Sequence, residues 1–256
     1  MISFPNAKIN LGLHILHKRA DGFHELETIF YPVRNLRDVL EFIPLKQGES
    51  RMVQTGLAVL GDYSENLAWR AFQKIKNLFP TVIPELEIHL HKAIPMGAGL
   101  GGGSADASFI LTMLNEYFSL GLSIEELELM SLELGSDCPF FIRNSPQYAT
   151  GRGEIMTPIE LDLSAYRLEV FCPKVYVSTR AAFSKSQPKA ATFNLKTLPQ
   201  IPVAAWREVL KNDFEESVFA QYPEVKAAKD KLYADGAVYA SMSGSGSAVF
   251  GLFQNK

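Results

Sequence analysis

Cysteine is scarce in this chain: Cys138 and Cys172 are its only two. Two thiols cannot build the disulfide framework on which small secreted domains rely, so a reducing, cytoplasmic location is expected. An excess of either charge is missing as well. With 25 basic and 28 acidic residues the formal charge is -3, too near neutrality to gather nucleic acid or an acidic lipid surface, and no aromatic-basic platform offsets that. Neither nucleic acid nor a membrane is expected as a partner. No apolar run approaches the roughly 18 residues of a membrane-crossing helix, and Met1 to Asn10 have neither the basic nor the apolar region of an export signal. Internal repeats and low-complexity tracts are lacking too. At 256 residues the chain can bury a sizeable core, in one large domain or two small ones.

Glycine, by contrast, is concentrated. The run Ile94-Pro95-Met96-Gly97-Ala98-Gly99-Leu100-Gly101-Gly102-Gly103-Ser104 places five glycines in seven positions, which removes most of the Cβ atoms that would hold a bound group away from the backbone. Behind it, Phe109, Ile110, Met113, Leu114 and Tyr117 recur at helical spacing, so the loop opens a helix whose first-turn N–H groups and positive dipole end face the same anion. Ahead of it, Ile88 and Leu90 alternate with Glu87, His89 and His91 as a short strand. Strand, glycine loop and helix make a nucleotide phosphate the leading ligand. Gly97, Gly99 and Gly102 satisfy the dinucleotide fingerprint, but the loop lies well into the chain and no acid follows at the distance a ribose needs. The P-loop frame also fits except at its lysine, whose slot holds Gly103. What remains is a glycine-rich phosphate loop whose cation and base come from elsewhere in the chain.

Ile9, Leu11, Leu13 and Ile15 alternate with Lys8, Asn10, Gly12 and His14, the period of a half-buried strand with Lys8 and Asn10 on one face. Helical spacing predicts helices over 66–79, over 203–218 and over 225–232, the last ending at Gly236. Ser123 with Glu126 forms a capping box ahead of Leu127, Met130 and Leu134, and Gly135 marks the stop. Tyr166 to Cys172 reads as a strand that begins a new sheet, and 184–202 reads as a loop. A second glycine-serine loop, Ser241-Met242-Ser243-Gly244-Ser245-Gly246-Ser247, leads into a strand over 248–253. Strands and helices mix without regular βα alternation, so the class is α+β, with a boundary near residue 150.

Gly135-Ser136-Asp137-Cys138-Pro139 places an acid between a helix stop and the apolar Phe140-Phe141-Ile142. Taken alone, Asp137 is a turn residue and Lys8 a surface lysine. Four motifs change that reading: Pro5-x-x-Lys8-x-Asn10-Leu11, Pro95-Met96-Gly97 through Ser104, Gly135 through Pro139, and Met242-Ser243-Gly244-Ser245-Gly246. Together they resemble the GHMP kinases, the family of galactokinase, homoserine kinase and mevalonate kinase. Arg19-x-Asp21-Gly22-Phe23-His24, the triple glycine Gly101-Gly102-Gly103 and Asn212-Asp213-Phe214-Glu215 narrow the likeness to members that act on a methylerythritol carrying cytidine diphosphate. The likeness runs from Phe4 to Phe253.

The resemblance implies a two-domain α+β fold. Residues 1–150 would be an ATP-binding, catalytic domain like domain 2 of ribosomal protein S5, and 151–256 a ferredoxin-like, substrate-binding domain. It implies ATP and Mg2+, a small-molecule cytidine-diphosphate substrate, and phosphorylation of a tertiary hydroxyl in the non-mevalonate supply of isoprenoid precursors. Carried onto matching positions, it makes Asp137 the base and Lys8 its cationic partner. Pro95, Met96, Gly97, Ala98, Gly99, Leu100, Gly101, Gly102, Gly103, Ser104 and Ala105 hold the ATP phosphates. Asn10 falls at the substrate, His24 at the cytosine edge, Phe23 and Phe183 beside the base with Thr179 nearby, and Gly244 and Gly246 at the substrate diphosphate. The chemistry agrees, because phosphoryl transfer needs positioning, charge neutralisation and a carboxylate to take the hydroxyl proton.

Phe23 departs from the tyrosine common in the family, keeping a stacking face without a hydroxyl. Asp106 sets a carboxylate in the first turn of the phosphate helix, where it is expected to face away from ATP. No pattern names a magnesium ligand beyond Ser104 or the ATP phosphates, and none names an oligomeric state. His89 and His91 lack the further ligands of a metal site and read as a solvated face; Cys138 reads as a small buried hydrophobe. Another GHMP small-molecule kinase, such as a homoserine kinase, and a non-catalytic nucleotide binder on the same scaffold stay open as alternatives. The presence of both Lys8 and Asp137 favours an enzyme.

Overall fold

Contacts in the computed structural model, which describes residues 1–59 and 61–255, gather the chain into two units. The first takes Met1–Ala7, Val33–Met96 and Gly101–Asn144; the second takes Lys8–Pro32, Gly97–Leu100 and Ser145–Lys256. The first glycine loop therefore passes from one unit into the other and back.

In the first unit, strands β1 (Ile2–Ser3), β4 (Val39–Pro44), β6 (Leu86–Lys92) and β5 (Arg51–Gly56) lie side by side in that order, with β5 parallel to β6 and the other pairs antiparallel. The period-2 pattern of β6 buries Leu86, Ile88 and Leu90 while His91 stays exposed. Helices α1 (Leu67–Leu78), α2 (Gly102–Tyr117), α3 (Ile124–Leu132) and α4 (Cys138–Arg143) complete the unit. The α1 helix starts where Asn66 Oδ1 accepts the Ala68 N–H at 2.9 Å, and its Ala68, Ala71, Phe72 and Ile75 recur on one face. They pack with Leu40, Phe42, Ile88, Ile110, Leu111 and Leu114 into one core, each large side chain contributing about 1.5–3 kcal/mol of burial. The expected capping box is present, Ser123 and Glu126 each binding the other's backbone N–H.

The second unit holds two sheets, one in the order β2 (Asn6–Lys18), β3 (His24–Arg37), β7 (Gln147–Thr150), β8 (Ile155–Pro158), the other an antiparallel set in the order β10 (Tyr239–Met242), β11 (Val249–Gln254), β9 (Tyr166–Phe171). Helices α5 (Thr179–Lys185), α6 (Trp206–Val209), α7 (Glu215–Gln221) and α8 (Pro223–Ala234) accompany them. Val225, Ala228 and Leu232 of α8 meet Ala240, Met242 and Val249 of the antiparallel sheet in a second core. The α+β class holds, and β9 does begin a new sheet.

Three local expectations fail for identifiable reasons. Alternation along β2 suggested one wet face, yet Lys8, Asn10 and His14 are each 3% exposed or less, because the polar face meets partners inside the unit. The helix expected over 203–218 is broken into a 3-10 turn at Val203–Ala205, α6 and α7. Between the two helices the chain bridges to β2: Leu13 N–H donates to Lys211 O at 2.9 Å and Asp213 N–H to Leu13 O at 2.9 Å. Those pairings use backbone groups that a continuous helix would need. The supposed loop over 184–202 contains a 3-10 segment, Leu195–Gln200, which buries Leu195 and Leu198.

Candidate active site

The first glycine loop is braced from below in the first unit. Asp38 Oδ1 accepts the N–H groups of Ala93 at 2.6 Å and Ile94 at 2.8 Å, fixing the chain as it leaves β6. Lys92 Nζ, buried, binds the carboxylates of both Asp38 and Asp106, the latter at 2.7 Å. The lysine at the foot of the loop is thus committed to two acids and does not replace the missing P-loop lysine. Asp106 lies in the second turn of α2 rather than the first, since α2 starts at Gly102, and its carboxylate turns onto Lys92. Gly102 has no room for a side chain: a Cβ there would lie 2.9 Å from Ile94 Cγ2. Burial pushes the Asp106 carboxyl up to about 7; Lys92 opposes this and Asp38 adds to it.

Next to this brace a cavity of about 180 Å³ is lined by Val59, Asp62, Glu65, Asn66, Leu67, Lys92, Met96, Gly103 and Asp106. Asp62 and Glu65 add acid to a wall whose one lysine is already doubly paired, so the cavity suits the uncharged end of a nucleotide better than its phosphates.

Asp137 stands at the N-terminal boundary of α4, half-buried, and its side chain makes no capping bond. Beside it the single Ser108 hydroxyl proton is shared between Cys138 O at 2.7 Å and Ser104 O at 2.9 Å, which ties the start of α2 to the start of α4. Burial pushes the Cys138 thiol up to about 11, so it stays protonated and is no nucleophile.

The second unit assembles the other half of the expected residues. Lys8 Nζ donates to Asn10 Oδ1 at 2.6 Å and lies 4.7 Å from the Phe30 ring centroid, so the shared strand face is real. Asn10 Nδ2 donates to Thr28 Oγ1 at 3.0 Å, and Thr28 donates on to Gly12 O at 2.5 Å. The Ser243 hydroxyl donates to Gly99 O at 2.8 Å and accepts the Asn10 N–H at 3.3 Å. Gly99 has a φ of +79°, and a Cβ on it would sit 2.1 Å from Ser243 O, so only glycine lets the two loops touch. Asn212 holds the second loop from behind, its Nδ2 donating to Met242 O at 2.9 Å and Gly244 O at 2.8 Å. Glu215 accepts the Met242 N–H at 2.9 Å.

Elsewhere in the second unit, the His24 ring stacks on Phe183 with centroids 4.9 Å apart and planes 16° apart, and Phe183 meets Phe214 edge-on at 4.8 Å. Burial, with Lys18 nearby, lowers the His24 imidazole below its ordinary value; at neutral pH it is uncharged and able both to donate and to accept. Thr179 and Ser245 hydroxyls lie 3.0 Å apart, linking α5 to the second loop. Phe23 is 52% exposed.

The second unit therefore holds Lys8, Asn10, Phe23, His24, Gly97, Ala98, Gly99, Leu100, Thr179, Phe183, Gly244 and Gly246, and the first holds Pro95, Met96, Gly101 to Ala105 and Asp137. Sequence reasoning missed Thr28, Asp38 and Lys92 and gave Ser243 and Asn212 no role. Lys92, two residues before Ile94, and the buried pattern of Asn212-Asp213-Phe214-Glu215 were the signals that could have found two of them. Among the described residues no three His, Cys, Asp or Glu side chains group as a metal site; His89 pairs with Glu87 at 2.8 Å.

Residues 66–145 match the family described as the GHMP kinases N terminal domain, and 196–256 match GHMP kinases C terminal. The chain is 50% identical over 255 residues, 99% of its length and 92% of the relative's, to 4-diphosphocytidyl-2-C-methyl-D-erythritol kinase of Bacteroides fragilis. It is 43% identical over 257 residues, 100% of its length and 93% of the relative's, to the protein of the same name from Cytophaga hutchinsonii. A crystal structure of 4-(cytidine 5'-diphospho)-2C-methyl-D-erythritol kinase superposes with a TM-score of 0.81 at 32% identity, covering 98% of this chain and 90% of that one. A homoserine kinase from Cytophaga hutchinsonii superposes at 0.65 with 16% identity, covering 98% and 85%, a likeness of fold alone.

Two variants test the braces. Asn212→Ala leaves the Met242 and Gly244 carbonyls without their donor, at a cost of roughly 1–3 kcal/mol for each buried group left unpaired; the denaturation midpoint should fall accordingly, and an unchanged midpoint would show that the loop does not depend on Asn212. For Asp106 the sign follows from its raised value. The unfolded chain loses this proton near ~3.9 and the folded protein only near 7. Between those values the folded state alone holds the proton, so the contribution present below ~3.9 is lost as pH rises toward 7 and stays lost above. Asp106→Asn removes that slope: thermal midpoints measured from pH 5 to 8 should fall in the parent relative to the variant, and parallel curves would show Asp106 ionised throughout.

Proposed function

We propose, for a chain that belongs to the GHMP kinases, that it transfers the γ-phosphoryl group of ATP to the 2-hydroxyl of 4-diphosphocytidyl-2-C-methyl-D-erythritol, within the methylerythritol phosphate supply of isoprenoid precursors. The observation that carries this reading is the 50% identity over 99% of the chain with a kinase of that name. A likeness confined to the scaffold, such as that to homoserine kinase at 16% identity, would leave the acceptor open.

In this reaction the substrate hydroxyl gives its proton to the Asp137 carboxylate as its oxygen bonds to the γ-phosphorus, and the bond from phosphorus to the bridging oxygen of ADP breaks. Lys8 supplies positive charge against the moving phosphoryl group. The backbone of Pro95 to Ala105 receives the ATP phosphates, and the α2 N-terminus adds its unpaired N–H groups. The acid-lined cavity of the first unit takes the adenine, which carries no charge to be repelled. Asn10 meets the acceptor end of the substrate, Gly244 and Gly246 its diphosphate, and Phe23, His24, Thr179 and Phe183 its cytosine. Stacking on the rings supplies affinity, and the uncharged His24 imidazole supplies base identity through the base edge.

Mg2+ would arrive with ATP and neutralise phosphate charge. Among the described residues no three His, Cys, Asp or Glu side chains group to hold it, and the Ser104 hydroxyl lies against the Cys138 thiol, so the ATP phosphates would hold it. No helix among the described residues is long and apolar enough to cross a membrane. The two family matches, on either side of residue 150, support a division into an ATP-binding domain over 1–150 and a substrate domain over 151–256, although the units formed by contacts put 8–32 and 97–100 with the C-terminal part.

A coupled ADP-release assay comparing this cytidine compound with homoserine tests the acceptor: turnover is expected with the first alone, and the reverse would move the chain elsewhere in the family. Asp137→Asn should lower turnover by ~10²–10⁴-fold, the usual share of a proton acceptor, while ATP affinity holds. A variant that turns over like the parent would reduce Asp137 to a turn residue.

A further inference from the structure

Phe23 presents a difficulty if it is to serve as a stacking surface. Its backbone is well fixed: the N–H donates to Asp21 Oδ1 at 3.1 Å, and the carbonyl accepts the Arg19 N–H at 2.8 Å. Its ring is not. It is half exposed, has no polar atom to anchor it, and meets no other ring among the described residues. An exposed ring with two free torsions loses conformational entropy when a ligand orders it, and that loss subtracts from affinity. Phe183, across the same region of the second unit, has no such problem, because His24 covers one side and Phe214 braces its edge.

One side chain does order Phe23. The Arg152 guanidinium carbon lies 4.7 Å from the Phe23 ring centroid, within the range of a cation-π contact. Arg152 is itself held. It sits in the turn between β7 and β8, where its N–H and its Nε both donate to the Glu154 carboxylate. The turn is pinned to the start of β3: Leu26 N–H donates to Gly151 O at 2.7 Å, and Gly151 N–H donates to Glu25 Oε1 at 2.9 Å. The other oxygen of Glu25 accepts from Arg19 Nη1 at 2.8 Å, and Arg19 Nε donates to Asp21 Oδ2 at 3.1 Å. Glu25 therefore joins the turn that carries Arg152 to the turn that carries Phe23, and sets the distance between guanidinium and ring.

We propose that Arg152 is a positioning residue for recognition of a pyrimidine nucleoside diphosphate: its guanidinium covers one face of the Phe23 ring and holds the ring so that the other face receives the base. The proposal rests on the placement of the cytidine end of the substrate at Phe23, His24 and Phe183. It adds a residue that stacks on no part of the substrate and acts through Phe23, with the Glu25–Arg19–Asp21 network as its support.

Steady-state kinetics of Arg152→Ala, Arg152→Lys, Phe23→Leu and the double variant Arg152→Ala/Phe23→Leu test this. Arg152→Ala should raise KM for the cytidine substrate about two- to fivefold, the size of an exposed cation-π contact, with kcat and the KM for ATP unchanged. Arg152→Lys should recover part of the loss, because an ammonium keeps the charge over the ring without the planar contact. In the Phe23→Leu background the arginine has no ring to hold, so removing it should change KM no further. An unchanged KM in Arg152→Ala overturns the proposal, as does a loss of equal size with and without the Phe23 ring, which would mean that the arginine acts independently of it. A parent that turns over the cytidine substrate while Arg152→Ala matches it overturns this proposal alone. A parent that does not turn it over overturns the functional reading, and this proposal with it.

Discussion

The second unit is organised around one contact, the close approach of the two glycine loops at Gly99 and Ser243. A single hydroxyl closes it: Ser243 Oγ donates to Gly99 O at 2.8 Å and accepts from Asn10 N–H at 3.3 Å, so β2, the first loop and the second loop share one atom. The approach is possible only because Gly99 has no Cβ, which would otherwise lie 2.1 Å from the Ser243 carbonyl oxygen. Everything around the contact serves to hold it. Asn212 anchors the second loop through two carbonyls, Glu215 through an N–H, and Leu100 O accepts the Lys8 N–H at 2.9 Å. Each is a buried polar group with a designated partner, and at roughly 1–3 kcal/mol for every partner lost the network has little tolerance for substitution.

The first unit meets a different constraint, the concentration of charge under the phosphate helix. Lys92 faces two carboxylates, with all three side chains at most 2% exposed. Two ionised acids and one lysine would leave a buried negative charge directly behind a loop built to receive phosphate. The raised Asp106 carboxyl removes part of that conflict: near neutral pH a proton is shared into the cluster, and the field behind the loop is less repulsive to an anion than the residue count suggests. Asp38 then has a second task. With its Oδ1 committed to Ala93 and Ile94, it fixes the path of the chain into the loop while its other oxygen neutralises Lys92.

How much of this could be read in the sequence depends on whether the determinant is local. Helix α1 and the capping box of α3 were legible, because Asn66 and Ser123–Glu126 act on residues two or three positions away. The shared face of Lys8 and Asn10 was legible from the period of a strand. What sequence could not supply were partners distant along the chain. The burial of the polar face of β2 depends on Thr28 and Ser243, and the break between α6 and α7 depends on Leu13; in both cases a tertiary pairing overrode a correct local pattern. Lys92 fell into the same class. As one polar residue at the end of an alternating strand it looked unremarkable until Asp38, 54 positions earlier, closed on it.

Asp137 shows how a short motif can keep a side chain out of helix capping. An aspartate at a helix start is normally drawn into capping, accepting the N–H of the second or third helical residue. In Asp137-Cys138-Pro139 the second of those residues is proline, which has no N–H to give, and α4 is only six residues long, so little helix rests on the cap. The Asp137 backbone accordingly adopts helical angles, φ -83° and ψ -13°, rather than the extended ones of a capping residue, and its side chain makes no capping bond. Proline thus starts the helix while keeping the carboxylate out of it. The turn into α4 is completed by Pro139 and the ordered backbone of α4, without a side-chain cap from Asp137.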